Sequence, residues 1–443
     1  MIRRLLCRAT SFLMAMLLAG AAALAAPQTG SGAATPGDML RGWYKMSLAL
    51  VRHTPTYAPP VASRSFAYLG VTAYEAVASG SPNLRTLAGQ LNGLESLPKR
   101  ETGKPYAEAV VLQAAMALIA QQLFSNTGPT GQHAMAALEK QLHEAAGNGV
   151  DPQVAARSRS HGEAIARHVL QWSRGDYGAV VENMGFPLQY EYKKGPAHWV
   201  PTNAIRLQQN PLLPGWGNNR TFAMPGTSVC SLPAPPDYSE DKASEFYRQA
   251  LEVYQTNQNL TVEQRAIARF WSDDAMLSVT PPGHWFDIAL QIFARDQVPL
   301  EKTVDVLARL GVTVGDAFIG CWREKYAYDL LRPVTYLGRV LDPQWEPLLN
   351  TPPFPEYPSG HSTQSGAAAA VLTQMFGENF AFDDATGKAD GLAPRHFASF
   401  SAAAEEAGIS RLYGGIHFRA AIDNGLTQGR CIAAFAIALR TQR

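Results

Sequence analysis

Net charge is nearly absent from this chain: 38 Lys and Arg stand against 37 Asp and Glu, a formal +1 at pH 7. A balance this even excludes the broad basic field that collects nucleic acid or an anionic membrane surface, so any anion must be recognised by a local cluster. Cysteine is scarce as well, with four in 443 residues. Cys7 falls in an N-terminal segment expected to be removed. Cys230, Cys321 and Cys431 then allow at most one internal disulfide, and small buried thiols are the preferred reading over a bridge or a metal set. After the N-terminal segment no apolar run reaches the length of about 18 residues that a membrane span needs. Alternating β-branched stretches, the mark of strands, are rare. At 46% hydrophobic and 17% charged residues, the chain lies outside the disordered range and can bury a large core.

Residues 1–25 carry Arg3 and Arg4 ahead of an apolar stretch from Ser11 to Leu24 and small residues at Ala23 and Ala25. This is the pattern of a signal peptide cleaved before Ala26, so the mature protein is expected to be exported, periplasmic or extracellular, with no membrane association after cleavage. Apolar residues recur at helical spacing over 39–51, 62–78, 107–123 and 153–172, and again over 244–254, 262–273, 300–317, 363–375 and 420–439. The spacing predicts an all-α protein. Residues 175–236, rich in Pro, Gly, Asn and aromatics, interrupt the pattern as a long loop region. They separate an N-terminal helical half (26–236) from a C-terminal half (237–443), and a pair of helical bundles is the simplest architecture.

Three elements of the C-terminal half carry chemistry. Lys325 and Arg332, followed by Pro333, are seven residues apart, about two helical turns, which would set both cations on one face. Pro358-Ser359-Gly360-His361 precedes an alanine-rich helical run, so Ser359 and Gly360 should open a helix. Free N–H groups and the positive end of the helix dipole favour an oxyanion there, and His361 would stand beside it able to exchange protons near neutral pH. In Ser410-Arg411-Leu412-Tyr413-Gly414-Gly415-Ile416-His417, an unbroken helix would turn Arg411 and His417 apart by about 120°. The Gly414-Gly415 break can bring them together again. Three cations, a hydroxyl, an amide nest and two histidines suit a tetrahedral oxyanion.

In this order the three elements resemble those of the vanadium-dependent haloperoxidases and the related type 2 phosphatidic acid phosphatases. The run from Phe354 through Ser359-Gly360-His361 to Ala367, together with Gly415-Ile416-His417 and Phe418-Arg419, is similar to bacterial haloperoxidases, as is Thr280-Pro281-Pro282-Gly283-His284-Trp285, to which no mechanism attaches. The resemblance implies two four-helix bundles with the active site in the C-terminal one, and vanadate as cofactor. It makes His417 the protein ligand of the metal, with Lys325, Arg332, Ser359, Gly360 and Arg411 holding oxygens. His361 would be the catalytic acid–base residue, and Lys325 would polarise the hydrogen peroxide that oxidises halide to hypohalous acid for small organic acceptors. Trp322 and Phe354 match the halide side, although plain core aromatics is an equal reading. An apolar wall there would favour iodide over bromide and leave chloride poor.

Related sequences often place an acid four positions after the last histidine. Here that position is Ala421, with Asp423 two residues later. The departure disfavours an acid phosphatase working through a phosphohistidine at His417, and leaves the partner of His417 unassigned. Asp273 or Asp274 could instead pair with a site arginine. A vanadate- or phosphate-binding protein without turnover is the non-enzymatic alternative.

Overall fold

The structure is a computed structural model that describes residues 35–202 and 210–443. The signal-peptide expectation for residues 1–25 lies outside the described residues. Thirteen α-helices, three short 3-10 helices and one two-stranded antiparallel sheet make up the regular structure among them. In the first half lie α1 (Pro36–Arg52), α2 (Pro59–Ala78), α3 (Glu108–Leu123), α4 (Pro129–Gly147) and α5 (Pro152–Ser173). The second half holds α6 (Glu245–Gln258), α7 (Val262–Phe270), α8 (Thr280–Asp296), α9 (Leu300–Tyr328), α10 (Pro333–Val340), α11 (Gly360–Phe376), α12 (Phe400–Tyr413) and α13 (Arg419–Ile437). Strands β1 (Phe382–Asp384) and β2 (Arg395–Phe397) pair between α11 and α12.

Helices α2 and α9 are buried nearly all round, which marks them as core helices rather than amphipathic surface ones. They pack on each other at the seam of the two halves, and α9 also contacts α11 and α13, so one apolar core runs through both. Small residues set these close approaches. A Cβ added at Gly70 of α2 would stand 2.7 Å from the Leu307 carbonyl oxygen, and one at Gly311 of α9 2.8 Å from that of Phe66. An alanine at either position would push the helices apart, a cost of about 1–3 kcal/mol.

Four helices lie outside the stretches predicted from periodicity. Helix α4 buries only Met135, Leu138, Leu142 and Ala146, a stripe too thin to stand out. Helix α8 starts with prolines that read as loop, yet Pro281 and Pro282 occupy its first turn, where a missing N–H costs nothing. Helices α10 and α12 flank breaks in the site itself. Helix α9 runs on to Tyr328, well past the expected end at 317, and α7 stops at Phe270 rather than 273.

The long connection between α5 and α6 is anchored at several points. Asp316 of α9 accepts from the backbone N–H groups of Phe222, Ala223 and Met224 at 2.5–2.9 Å, and Asp176 pairs with Arg64 at 2.9 Å. Cys230 is joined to Cys431 by a disulfide across 201 residues, which corrects the preference for unbridged thiols; among the described residues Cys321 alone remains free, buried in α9. Spacing along the chain could not reveal this pair, because the loop and α13 meet only in the folded molecule.

Candidate functional site

The three sequence elements converge on one cavity of about 350 Å³, lined among others by Gly360, His361, Arg411, His417, Trp322, Phe354, Asp273 and Asp274. Lys325, Arg332 and Ser359 lie completely buried behind it.

Lys325 and Arg332 meet by a different route from the helical spacing expected. Helix α9 ends at Tyr328, Asp329 takes a left-handed conformation (φ 52°), and Arg332 is extended as the N-cap of α10. The break, not a continuous face, turns Arg332 back toward the cavity. Its Nε donates to the Phe354 carbonyl at 2.8 Å and Nη1 to the Ile416 carbonyl at 2.9 Å, while Nη1 also stands 3.2 Å from His417 Nε2. The Lys325 ammonium donates to the carbonyls of Pro355, Glu356 and Pro358 at 2.9, 3.0 and 2.5 Å. All three of its protons are thereby committed, so Lys325 bears on the cavity as charge held behind the 355–358 turn.

Ser359 caps α11: its Oγ accepts from the Ser362 N–H at 3.3 Å, and the helix opens with the N–H groups of Gly360 and His361, which have no intrahelical acceptor. Across the cavity, Gly415 adopts φ 75° and the Ile416 N–H returns to the Arg411 carbonyl at 3.2 Å. The glycine break thus does bring Arg411 and His417 to the same cavity. Only a glycine fits this turn comfortably, since a Cβ would meet Asn257, Trp345 and Pro347 within about 3.0–3.1 Å.

The partner of His417 is Glu356, a residue to which sequence reasoning gave no role. His417 Nδ1 donates to Glu356 Oε1 at 2.8 Å, and the Phe418 N–H donates to the same oxygen at 2.8 Å. This fixes the tautomer and leaves the Nε2 lone pair toward Arg332 and the cavity. Ala421 serves by its carbonyl, which accepts from Ser359 N–H, and Asp423 is exposed.

His361 lies beside Arg411, whose Nη1 is 3.2 and 3.4 Å from its ring nitrogens. The hydrogen bonds of the Asp273 carboxylate go to a histidine. Asp273 Oδ1 accepts from His284 Nδ1 at 2.9 Å, and Asp273 Oδ2 stands 3.8 Å from His361 Nε2. His284 Nε2 in turn donates to Asp384 Oδ2 of β1 at 2.8 Å. Both Asp273 and Asp274 act on Arg411 through space.

Electrostatically the cavity is short of anions. Burial, then Arg332, Lys325 and Arg411, press His417 well below the ordinary histidine range, and burial with Arg411 and His284 does the same to His361. Burial alone is the largest influence on Lys325, pulled down to about 7, on Arg332 and Arg411, each down to about 10, and on Glu356, pushed up to about 7. The buried Nη2 atoms of Arg332 and Arg411 have no protein partner. Unpartnered guanidinium donors, an open helix N-terminus and an imidazole lone pair directed at Arg332 and the cavity fit a tetrahedral oxyanion coordinated by His417. Trp322 and Phe354 close one side, with ring centroids 4.9 Å apart and the Trp322 N–H donating to the Leu212 carbonyl.

Residues 305–443 match the family described as the VCPO second helical-bundle domain. Among curated proteins, the vanadium chloroperoxidase of Curvularia inaequalis is 30% identical over 138 residues, 26% of this chain and 23% of that enzyme, so the match spans less than a quarter of that relative. A bacterial vanadium-dependent chloroperoxidase structure shares the fold at a TM-score of 0.67 with 16% identity, over 88% of this chain and 93% of that one. The crystal structure of a bacterial vanadium-dependent iodoperoxidase superposes at a TM-score of 0.85 with 36% identity, over 94% of this chain and 99% of that one. A relative this similar over almost its whole length identifies the family, and this chain belongs to the vanadium-dependent haloperoxidases.

Proposed function

We propose that the protein is an exported vanadate-dependent haloperoxidase that uses hydrogen peroxide to oxidise halide, iodide first and bromide next, to hypohalous acid. The observation that carries this reading is the conjunction, in one cavity, of His417 Nε2 and two unpartnered arginine donors. Bound vanadate would supply a Lewis acid that activates peroxide toward halide without a change of oxidation state.

The chain's own residues divide the remaining work. Glu356 orients His417 as the ligand, Arg332 and Arg411 hold oxygens with their free Nη2 donors, and the Gly360 and His361 N–H groups contribute the helix-terminal nest. Lys325 supplies positive charge from behind the 355–358 turn. His361, kept neutral, would be the acid–base residue, able to accept a proton from incoming peroxide at a ring nitrogen and give it up again. Trp322 and Phe354 form the wall along which halide approaches. Export is supported by the pattern of residues 1–25 and by the Cys230–Cys431 disulfide. No described helix is long and apolar enough to cross a membrane.

Because the Glu356–His417 pair would equally orient a histidine nucleophile, phosphatase activity is the control that matters. The test is a steady-state assay with peroxide and iodide, bromide or chloride, with and without vanadate loading, beside a phosphomonoester assay. Peroxide-dependent halide oxidation should appear only after loading, and phosphate should compete with vanadate. Robust oxidation by vanadate-free protein, or phosphatase turnover in its place, would overturn the reading.

A further inference from the structure

His284 belongs to the Thr280–Trp285 segment to which the sequence attached no mechanism. It opens α8, is 2% exposed, and uses both ring nitrogens on carboxylates: Nδ1 on Asp273 at 2.9 Å and Nε2 on Asp384 at 2.8 Å. The Trp271 ring stacks on its imidazole at 4.4 Å between centroids, 18° from parallel. The Trp271 backbone also bears on His361, favouring its protonated form. Asp273, two residues on, keeps a left-handed backbone (φ 49°) while its Oδ2 faces His361 at 3.8 Å. A non-glycine residue persists in that region when its surroundings over-determine it, and here the clamp on its carboxylate does so.

The geometry points to His284 as a positioning residue for His361: clamped between Asp273 and Asp384, it fixes the 271–273 segment that touches His361 and sets the charge His361 meets. This rests on the reading of His361 as the acid–base residue. With both ring nitrogens donating, His284 is an imidazolium. Two carboxylates, Asp273 and Asp384, then face two cations, His284 and Arg411, and the cluster is balanced. Around it stand Asp287 on α8, Asp274 on the preceding turn, Lys325 on α9, and Glu406 on α12, which accepts from Trp271 Nε1 at 3.0 Å. Burial pushes Asp287 and Asp274 toward their neutral forms. The two carboxylates hold His284 well above the usual histidine range, while His284 and Arg411 help hold His361 well below it. Without the His284 proton, Asp273 would meet His361 with only Arg411 left to offset its charge. His361 would then bind a proton at higher pH and cease to accept one from peroxide.

Two readouts test this on the full-length protein, and the first does not depend on turnover. In ¹⁵N-histidine NMR of the vanadate-free protein, His284 should carry two ring protons at neutral pH; a singly protonated His284 would overturn the inference. In His284→Gln, the His361 ring should titrate about one pH unit or more higher than in the wild type. The acid limb of kcat/KM for peroxide in the vanadate-loaded enzyme should move in the same direction, with halide KM unchanged. Adding Asp273→Asn to His284→Gln should remove the shift, because it acts through that carboxylate. A lowered Tm with both titrations unmoved would reduce His284 to a packing role and sink the proposal. Absence of halide oxidation, with the NMR results as expected, would instead count against the haloperoxidase reading.

Discussion

Glu356 Oε1 accepts from both His417 Nδ1 and the Phe418 N–H, each at 2.8 Å, so one carboxylate oxygen fixes the ring and the start of α13 together. Glu356→Ala frees the ring to take the other tautomer and removes the carboxylate that acts on the buried cations Lys325 and Arg332. Vanadate affinity should fall by about 10–100-fold, in line with the loss of a partner behind a metal-ligating histidine. Glu356→Gln keeps an acceptor and should retain most of the orientation while losing the charge. Equilibrium titration with vanadate separates the variants, and an unchanged affinity in Glu356→Ala would remove this carboxylate from the site's function.

His417 and His361 face the cavity from different segments, and their losses should differ. His417→Ala deletes the lone pair beside Arg332 and should abolish tight vanadate binding and turnover together. His361→Ala leaves Arg332, Arg411 and the α11 N-terminus in place, so binding should weaken by less than about tenfold while turnover falls by about 10²–10⁴-fold, the usual worth of a general acid–base group. Vanadate titration beside peroxide kinetics shows the split; equal losses of affinity in the two variants would merge the roles.

How much of this was legible in the sequence depends on whether a feature is local. The Gly414-Gly415 break announced that Arg411 and His417 could meet, and Ser359-Gly360 announced a helix start, because both are set within a few residues. The partner of His417 escaped because the pattern of related sequences directed attention to position 421, whereas Glu356 arrives on a non-helical turn 61 positions upstream. Its position inside the Phe354–His361 run was the available signal. His284 and Asp384 are 100 positions apart, and the disulfide spans 201, so only the packing of α8, β1 and α13 brings these pairs together. Lys325 and Arg332 show the reverse: they come together behind the cavity, but not along one helix face, since the helix expected to carry both ends between them.

Burial pulls Lys325 down to about 7, which gives vanadate binding a pH dependence of definite sign. The cationic form attracts the oxyanion, so affinity should be highest below the folded-state value and fall as pH rises through about 7, by at most tenfold per pH unit for this one proton. Binding an anion favours the ammonium, so proton uptake should accompany vanadate near and above that pH. Calorimetry in buffers of different ionisation enthalpy measures the uptake. Lys325→Met should lower affinity and lose the lysine-dependent part of it; a variant with undiminished uptake would show that another group carries the proton.

The Cys230–Cys431 disulfide ties the connection after α5 to α13, and Gln428 of the same helix donates to the Cys230 carbonyl at 3.3 Å. Replacing both cysteines with serine should lower unfolding stability by about 2–4 kcal/mol, the typical worth of a native bridge. The site stays assembled through Asp316 and its three backbone donors, so turnover at moderate temperature should survive. Denaturant unfolding of the double variant against the oxidised wild type checks this, and equal stability would contradict it.

Halide preference follows from the wall formed by Trp322 and Phe354. Their rings lie 4.9 Å apart at the cavity, the Trp322 N–H is spent on the Leu212 carbonyl at 3.2 Å, and phenylalanine has no donor to offer. A halide approaching this wall loses water without gaining hydrogen bonds, a penalty that grows with the strength of hydration and so falls hardest on chloride. The ring faces do not compensate, because they are negative; Lys325 lies over Phe354 at 5.1 Å and Arg332 at 5.0 Å, and both cations serve the site as well. Iodide, the least hydrated and the easiest to oxidise, should give the highest kcat/KM, bromide less, and chloride little or none. Phe354→His would place a donor on the wall, and one hydrogen bond to an anion is worth enough to raise bromide relative to iodide by about tenfold. Catalytic efficiencies for the three halides, taken at one pH with saturating peroxide, decide the ranking: chloride turnover comparable with iodide in the unmodified protein would show that the wall does not govern selection.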